Sequence, residues 1–132
     1  MSEDVLVLVD TSAWLEFFKR GEGQVANAVY RLVREDRAVL VGPVLAELLQ
    51  SARTEKEKET LRQNLSTLRY VEADRRDWTV AGSMLAKLRR KGVHAPLTDA
   101  LIAVLSVRHN LAILTLDKHF AHFSDMQWYA VT

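Results

Sequence analysis

The sequence predicts an α/β protein: a mostly parallel sheet covered by helices on both faces. Three observations carry that prediction. Short apolar runs rich in β-branched residues alternate with helix-length stretches from end to end, and such alternation favours parallel strands joined by helical crossovers. The chain has 132 residues, one domain's length, enough to bury about two-thirds of its unfolded surface without staples. No long Gly/Pro/Ser linker and no internal repeat divides it, so residues 1–132 are expected to form a single domain.

The elements follow in order. Val5–Val9 reads as a buried strand, and Ala13–Lys19 as a helix whose Trp14, Phe17 and Phe18 recur at i, i+3, i+4 as a core-facing stripe. Between them stand Asp10, Thr11 and Ser12, all helix-capping types. Ala38–Val41 is the second strand. Gly42-Pro43 opens the next helix, with proline suited to the first helical position. Val44, Leu45, Leu48, Leu49 and Ala52 form its apolar face. Thr54–Asn64 is almost wholly polar and is expected as a solvated helix. Leu68–Val71 is a peripheral strand. The helix expected over Asp74–Lys91 repeats Trp78, Ala81, Leu85 and Leu88, and ends on Lys91-Gly92, a basic last turn followed by a glycine cap. From Ala100 to Val107 the chain is apolar almost all round, which marks a helix buried on most sides. Strands at Leu111–Thr115 and Gln127–Val131 complete the sheet.

Composition narrows the chemistry. A hydrophobic content of 48% against 27% charged is ordinary for a globular protein. The absence of cysteine excludes disulfides, thiol nucleophiles and cysteine-ligated zinc or iron–sulfur sites, and fits a reducing compartment. The start, Met1-Ser2-Glu3-Asp4, is acidic where a secretory signal would be basic. No apolar run approaches the roughly 20 residues of a membrane span. A soluble cytoplasmic protein with no membrane partner is expected. Eighteen basic and 17 acidic residues leave a net charge of +1, so no overall field announces a nucleic-acid partner.

Geometry sorts residues by sheet edge. In a parallel α/β sheet a helix after a strand begins near that strand's C-terminal end. A helix before a strand begins there too, because it runs antiparallel to the sheet. Asp10 follows the first strand, and Glu47 lies about one turn into the helix after the second. Asp99 starts the buried helix feeding the fourth strand, and Asp117 follows that strand, with Thr115 at its tip. All four carboxylates therefore belong to the edge where open α/β sheets bind ligands. The same edge is expected to hold Asp74, as a helix cap. Taken singly, each acid has a plainer role: Asp10, Asp99 and Asp117 as caps or turn residues, and Glu47 as a surface residue on a polar face with Pro43 and Gln50. As a set they repel one another unless a cation neutralises them. Hard ions such as Mg²⁺ or Mn²⁺ take oxygen ligands and act through few carboxylates plus substrate phosphate. Thr11, Ser12 and Thr115 would orient such ligands, and Thr11 and Ser12 could also cap the first helix.

The stretches "VLVDTSAWLEFF", "VGPVLAELL", "HAPLTDALIAVLSVRHNLAILTLDKHF" and "WYAV" together resemble a PIN domain. Within that family they resemble the VapC-type ribonucleases of toxin–antitoxin pairs. The resemblance covers nearly the whole chain, with 54–67 its least telling part. Residue by residue, the family's acids match Asp10, Glu47, Asp99 and Asp117, and its supporting hydroxyls match Thr11, Ser12 and Thr115. It implies a three-layer α/β/α sandwich with strand order 3-2-1-4-5. It implies metal-dependent hydrolysis of RNA leaving a 3′-hydroxyl and a 5′-phosphate, with Asp10 and Asp99 as central ligands of Mg²⁺ or Mn²⁺ and Glu47 and Asp117 completing the shell. It also implies a cognate antitoxin whose C-terminal segment blocks the groove, and a homodimer.

RNA must be attracted past those acids, so basic groups are needed around them. Lys118 and His119 are candidates by adjacency to Asp117, followed by Lys19 and Arg20 and by the cluster Arg89, Arg90 and Lys91. Helix-terminal cations also serve the dipole. His119 and His122 have a metal-binding spacing but no third ligand, and His94, before Asp99, is unassigned. Two rival functions remain open on sequence: a phosphatase using Asp10 as nucleophile, which lacks the usual Asp-x-Asp pattern because Ser12 stands at the third position, and a non-catalytic partner-binding module.

Overall fold

The computed structural model describes residues 5–131, so the acidic start and Thr132 lie outside the described residues. Five strands form one sheet: β1 (Val7–Val9), β2 (Ala38–Val41), β3 (Arg69–Val71), β4 (Ala112–Leu114) and β5 (Gln127–Trp128). Their order is β3-β2-β1-β4-β5, and every neighbouring pair is parallel. Each strand lies within a run expected from the sequence, and all but β2 are trimmed at their ends. Six helices connect them: α1 (Thr11–Leu15), α2 (Gln24–Arg34), α3 (Gly42–Gln50), α4 (Glu55–Leu65), α5 (Arg75–Arg90) and α6 (Leu97–Arg108). The chain steps from β1 to β2 to β3, then returns across the sheet through α5 and α6 to β4. Right-handed crossovers therefore place α1–α4 on one face and α5–α6 on the other.

Central position explains strand composition. β1, β2 and β4 are buried along their whole length, whereas β3 and β5 form the edges and are largely exposed. Covered on both faces, the inner strands must be continuous apolar runs rather than alternating ones. Trp14, Leu32, Leu101 and Phe120 pack around them as large, fully buried side chains. Helix α6 is buried from Ala100 to Ser106, as its all-round apolarity requires. Helix α4 is almost wholly exposed, and its cap Thr54 accepts the Glu57 N–H at 3.0 Å.

Several elements depart from expectation. The first helix starts at Thr11 and turns α-helical only as far as Leu15, after which Glu16–Arg20 winds as a wider π segment ended by Gly21 at φ +70°. Its aromatic stripe holds: Phe17 and Phe18 lie 6.1 and 5.7 Å from the Trp14 ring. Helix α2 is not singled out by the sequence reading, although Val25, Val29 and Leu32 recur at i, i+4, i+7 and pack on the core. On α5 the inward stripe holds at Ala81, Leu85 and Leu88 but not at Trp78. Trp78 is 49% exposed, while Asp77 is 1% exposed. Asp77 takes the inward position because two partners hold it there. It forms a capping box with Asp74, and Arg108 donates to both of its oxygens at 2.6 and 2.8 Å.

That ion pair also fixes the direction of α5. Its first turn meets the last turn of α6, and the two helices pack along each other as an antiparallel hairpin. Asp74 caps α5, as expected, but does not join the other acids. It lies 3.9 Å from Arg108, at the end of α6 that enters β4. The basic C-terminal end of α5 lies instead beside the start of α6. Gly92 at φ +83° closes α5, with the Val93 N–H bonded to the Leu88 carbonyl at 2.9 Å.

Candidate active site

The sheet order reverses between β1 and β4, and the candidate site is built on that junction. Asp10 leaves β1 with its N–H bonded to the Leu114 carbonyl of β4 at 2.9 Å, and its side chain is 6% exposed. It stands at the cap position of α1 but its carboxylate makes no capping bond. Thr115 donates to Asp10 Oδ2 at 2.8 Å and Ser12 donates to the same oxygen at 3.2 Å, so Oδ1 accepts no bond among the described residues. The Ser12 hydroxyl also accepts the Leu116 N–H at 2.9 Å, and Thr115 Oγ1 accepts the Asp117 N–H at 3.0 Å. These hydroxyls knot the exits of β1 and β4 together.

Thr11 and Ser12 do not cap α1, contrary to expectation. Thr11 Oγ1 donates to Glu47 Oε1 at 2.5 Å, joining α1 to α3. This bond accounts for Glu47, which lies on the polar side of α3 yet is half-buried. Asp99 falls in the first turn of α6, inside the cap supplied by Pro96, so neither Thr98 nor Asp99 is the cap. Asp117 does cap: its Oδ1 accepts the His119 N–H at 2.9 Å and pairs with His119 Nδ1 at 2.8 Å, starting the short 3-10 turn Lys118–His122.

Asp99 feels the charges of the other three acids. Burial pushes the Asp99 carboxyl up to about 6, and the carboxylates of Asp117, Asp10 and Glu47 push in the same direction, with His119 opposing them. Asp117 moves the other way, below its usual range, chiefly through the His119 N–H. Three acids thus have one oxygen engaged by the protein, while both Asp99 oxygens are without a hydrogen bond among the described residues. Among the described residues no three carboxylate or imidazole groups already stand close enough to cage an ion. The donor set, all hard oxygens, suits an ion that uses one or two carboxylates, waters and a phosphate.

The PIN domain family model matches residues 7–126. The chain belongs to the PIN domain family. The VapC ribonuclease Mb1587 of Mycobacterium bovis is 31% identical over 119 residues, which cover 87% of this chain and 89% of that protein. Among solved structures, the DNA-bound VapBC of Salmonella typhimurium superposes with a TM-score of 0.78 at 18% identity, covering 95% of this chain and 97% of that one. VapBC-1 of nontypeable Haemophilus influenzae gives 0.77 at 21% identity, covering 94% and 96%. At these identities the structures show a shared fold.

Around the acids of this PIN domain the basic candidates divide. Lys118 and His119 border Asp117 directly and are exposed. Arg89, Arg90 and Lys91 are exposed at the end of α5. Arg20 is drawn to Glu16 at 3.7 Å, and Lys19 lines a groove of about 460 Å³ between the π segment and α4. His119 and His122 stack with ring centroids 6.4 Å apart. The sequence reading missed Asp77 and the Leu116 N–H. The "EADRRDW" capping pattern was a signal for the first, and nothing local announces the second.

Proposed function

We propose that this PIN-domain protein is a metal-dependent endoribonuclease that hydrolyses RNA phosphodiester bonds and serves as the toxin of a toxin–antitoxin pair. The observation that supports the reading is the acid set at the switch point, where burial first, and then the charges of Asp117, Asp10 and Glu47, push the Asp99 pKa up. Such a concentration of negative charge costs stability and makes chemical sense around a cation. The 31% identical relative named a VapC ribonuclease supports the choice of RNA.

Asp10 and Asp99 would hold Mg²⁺ or Mn²⁺, with Glu47 and Asp117 completing the shell. A bound ion of this kind lowers the pKa of water and neutralises charge on a scissile phosphate. The chain's own contribution is orientation. Thr115 and Ser12 occupy Asp10 Oδ2 and so aim Oδ1, Thr11 fixes Glu47, and His119 fixes Asp117. Lys118 and the free side of His119 would contact RNA beside the acids.

Partner binding belongs to the same proposal. The groove between the π segment and α4 is lined by Leu15, Phe18, Ala52 and Leu61, with Lys19 and Lys56 at its rim, and it would accept an apolar segment of the antitoxin. A homodimer acting in the cytoplasm completes the reading. No described helix is long and apolar enough to cross a membrane.

The deciding experiment incubates antitoxin-free protein with structured RNAs in Mg²⁺, Mn²⁺ or EDTA, alongside Asp10→Asn. Cleavage with metal, abolished by EDTA and by the substitution, is expected. Cleavage surviving either would overturn the metal–acid mechanism. A protein inert on a wide RNA panel would be a binding module, and one hydrolysing only phosphomonoesters would be a phosphatase.

A further inference from the structure

RNA is a polyanion, and the site described above is a rim of carboxylates that repels it. Charge along the chain is distributed in a way that answers this. From Trp78 to Thr98 the sequence contains Lys87, Arg89, Arg90 and Lys91 and no Asp or Glu. Elsewhere acids and bases are interspersed, and Arg20, Arg37, Lys58, Arg62, Arg69 and Arg108 each bridge a carboxylate. The four cations of this acid-free stretch bridge none among the described residues.

The hairpin determines where they stand. Arg108 is anchored on Asp77, so these residues are level on α6 and α5. At about 1.5 Å of rise per residue, Asp99 lies about 13 Å from Arg108 along α6, and the same distance from Asp77 reaches Ala86 on α5. Arg89 and Arg90 therefore project about one helical turn, about 5 Å, beyond Asp99. That is outward from the sheet edge that carries the acids. Lys91 and the exposed His94 follow in the loop that leads back to α6. A dipole-serving cation is ordinary in a helix's last turn, but it needs neither a cluster of four nor an absence of acids over two flanking turns.

We propose that the tip of the α5–α6 hairpin, Arg89, Arg90 and Lys91 with His94, grips RNA phosphates outside Asp99 and positions the strand across the acids. Lys19 and Arg20 have no part in this grip. This rests on the nuclease reading and assigns it an RNA-positioning element.

Binding is measured without cleavage, in the Asp10→Asn protein, by fluorescence anisotropy with a labelled single-stranded RNA of mixed sequence across a salt series. Each phosphate contact on a single strand contributes about 0.7 to the slope of log affinity against log salt. Adding R89A/R90A/K91A should lower that slope by about 2 and weaken binding about 100-fold at about 0.1 M salt. Adding K19A/R20A instead should change affinity less than about threefold. All five positions are solvent-facing, and an unchanged circular dichroism spectrum and Tm verify the fold. Equal slope and affinity in the triple variant, or an equal loss in the double variant, overturns the hairpin assignment while the nuclease reading stands. A parent that binds no RNA, with a wild type that cleaves none, overturns both.

Discussion

Replacing Asp99 by asparagine should make the metal-free protein more stable, because the native carboxylate is held where its charge is unwelcome. Burial, with the neighbouring Asp117, Asp10 and Glu47, moves its pKa from 3.8 to about 6. That gap corresponds to about 3 kcal/mol, at about 1.36 kcal/mol per tenfold. Asp99 is only half-buried, so solvent screening reduces the cost to about 1–2 kcal/mol. The sign follows from proton uptake. Below pH 3.8 the carboxyl is protonated in both folded and unfolded chains and the cost is absent. Between 3.8 and about 6 the folded chain keeps a proton that the unfolded chain releases, so stability falls as pH rises. Above about 6 the cost is complete. Differential scanning fluorimetry in EDTA should therefore show Asp99→Asn melting about 5 °C above wild type at pH 7.5, with the advantage shrinking towards zero near pH 4. Added Mg²⁺ should raise the wild-type Tm and narrow the gap, since an ion that binds only the folded state stabilises it. No gain at pH 7.5, or one of the same size at pH 4, would refute the account of a mutually repelling acid cluster.

Other consequences can be measured separately. Asp77→Ala strips Arg108 of its partner and α5 of its capping box, and should cost about 3 kcal/mol in denaturant unfolding; a loss below about 1 kcal/mol would show that the hairpin is held otherwise. Thr115→Val removes the 2.8 Å bond to Asp10 and the acceptor for the Asp117 N–H. It should raise the Mg²⁺ concentration for half-maximal cleavage about 10–100-fold and change stability by only about 1 kcal/mol. Light scattering of the isolated chain should give twice its 15.0 kDa mass if the homodimer forms; a monomer mass at all concentrations would remove it from the proposal.

Much of the fold is legible because it depends on neighbours in sequence. The inner strands announce themselves as continuous apolar runs, since a strand covered on both faces has no solvent side to mark. Asp10 is likewise visible from its place after such a run. Glu47 is different. Periodicity puts it on the polar side of α3, and what fixes it is a hydroxyl 36 residues earlier in the chain, on α1. Thr115 reaches Asp10 across 105 residues, and no local pattern encodes such a bond. Trp78 shows the opposite failure, where helical spacing suggested an inward indole and a buried ion pair took the inward position instead.

Asp74 shows where the edge rule itself breaks down, and why that matters for the site. The rule assumes that the helix following a strand starts at that strand's C-terminal end, which holds for α1 and α3. Between β3 and β4 there are two helices, and only α6, the one that feeds β4, obeys it. Helix α5 is placed by its partner: Asp77 seeks Arg108, and the hairpin that results puts the acid-rich start of α5 away from the site and its basic end towards it. On sequence alone, Arg89, Arg90 and Lys91 were no better candidates than Lys19 and Arg20, since both groups end a helix. The orientation of one helix separates them: a carboxylate–guanidinium pair at one end of α5 sends its basic end to the end of the hairpin where α6, and with it Asp99, begins.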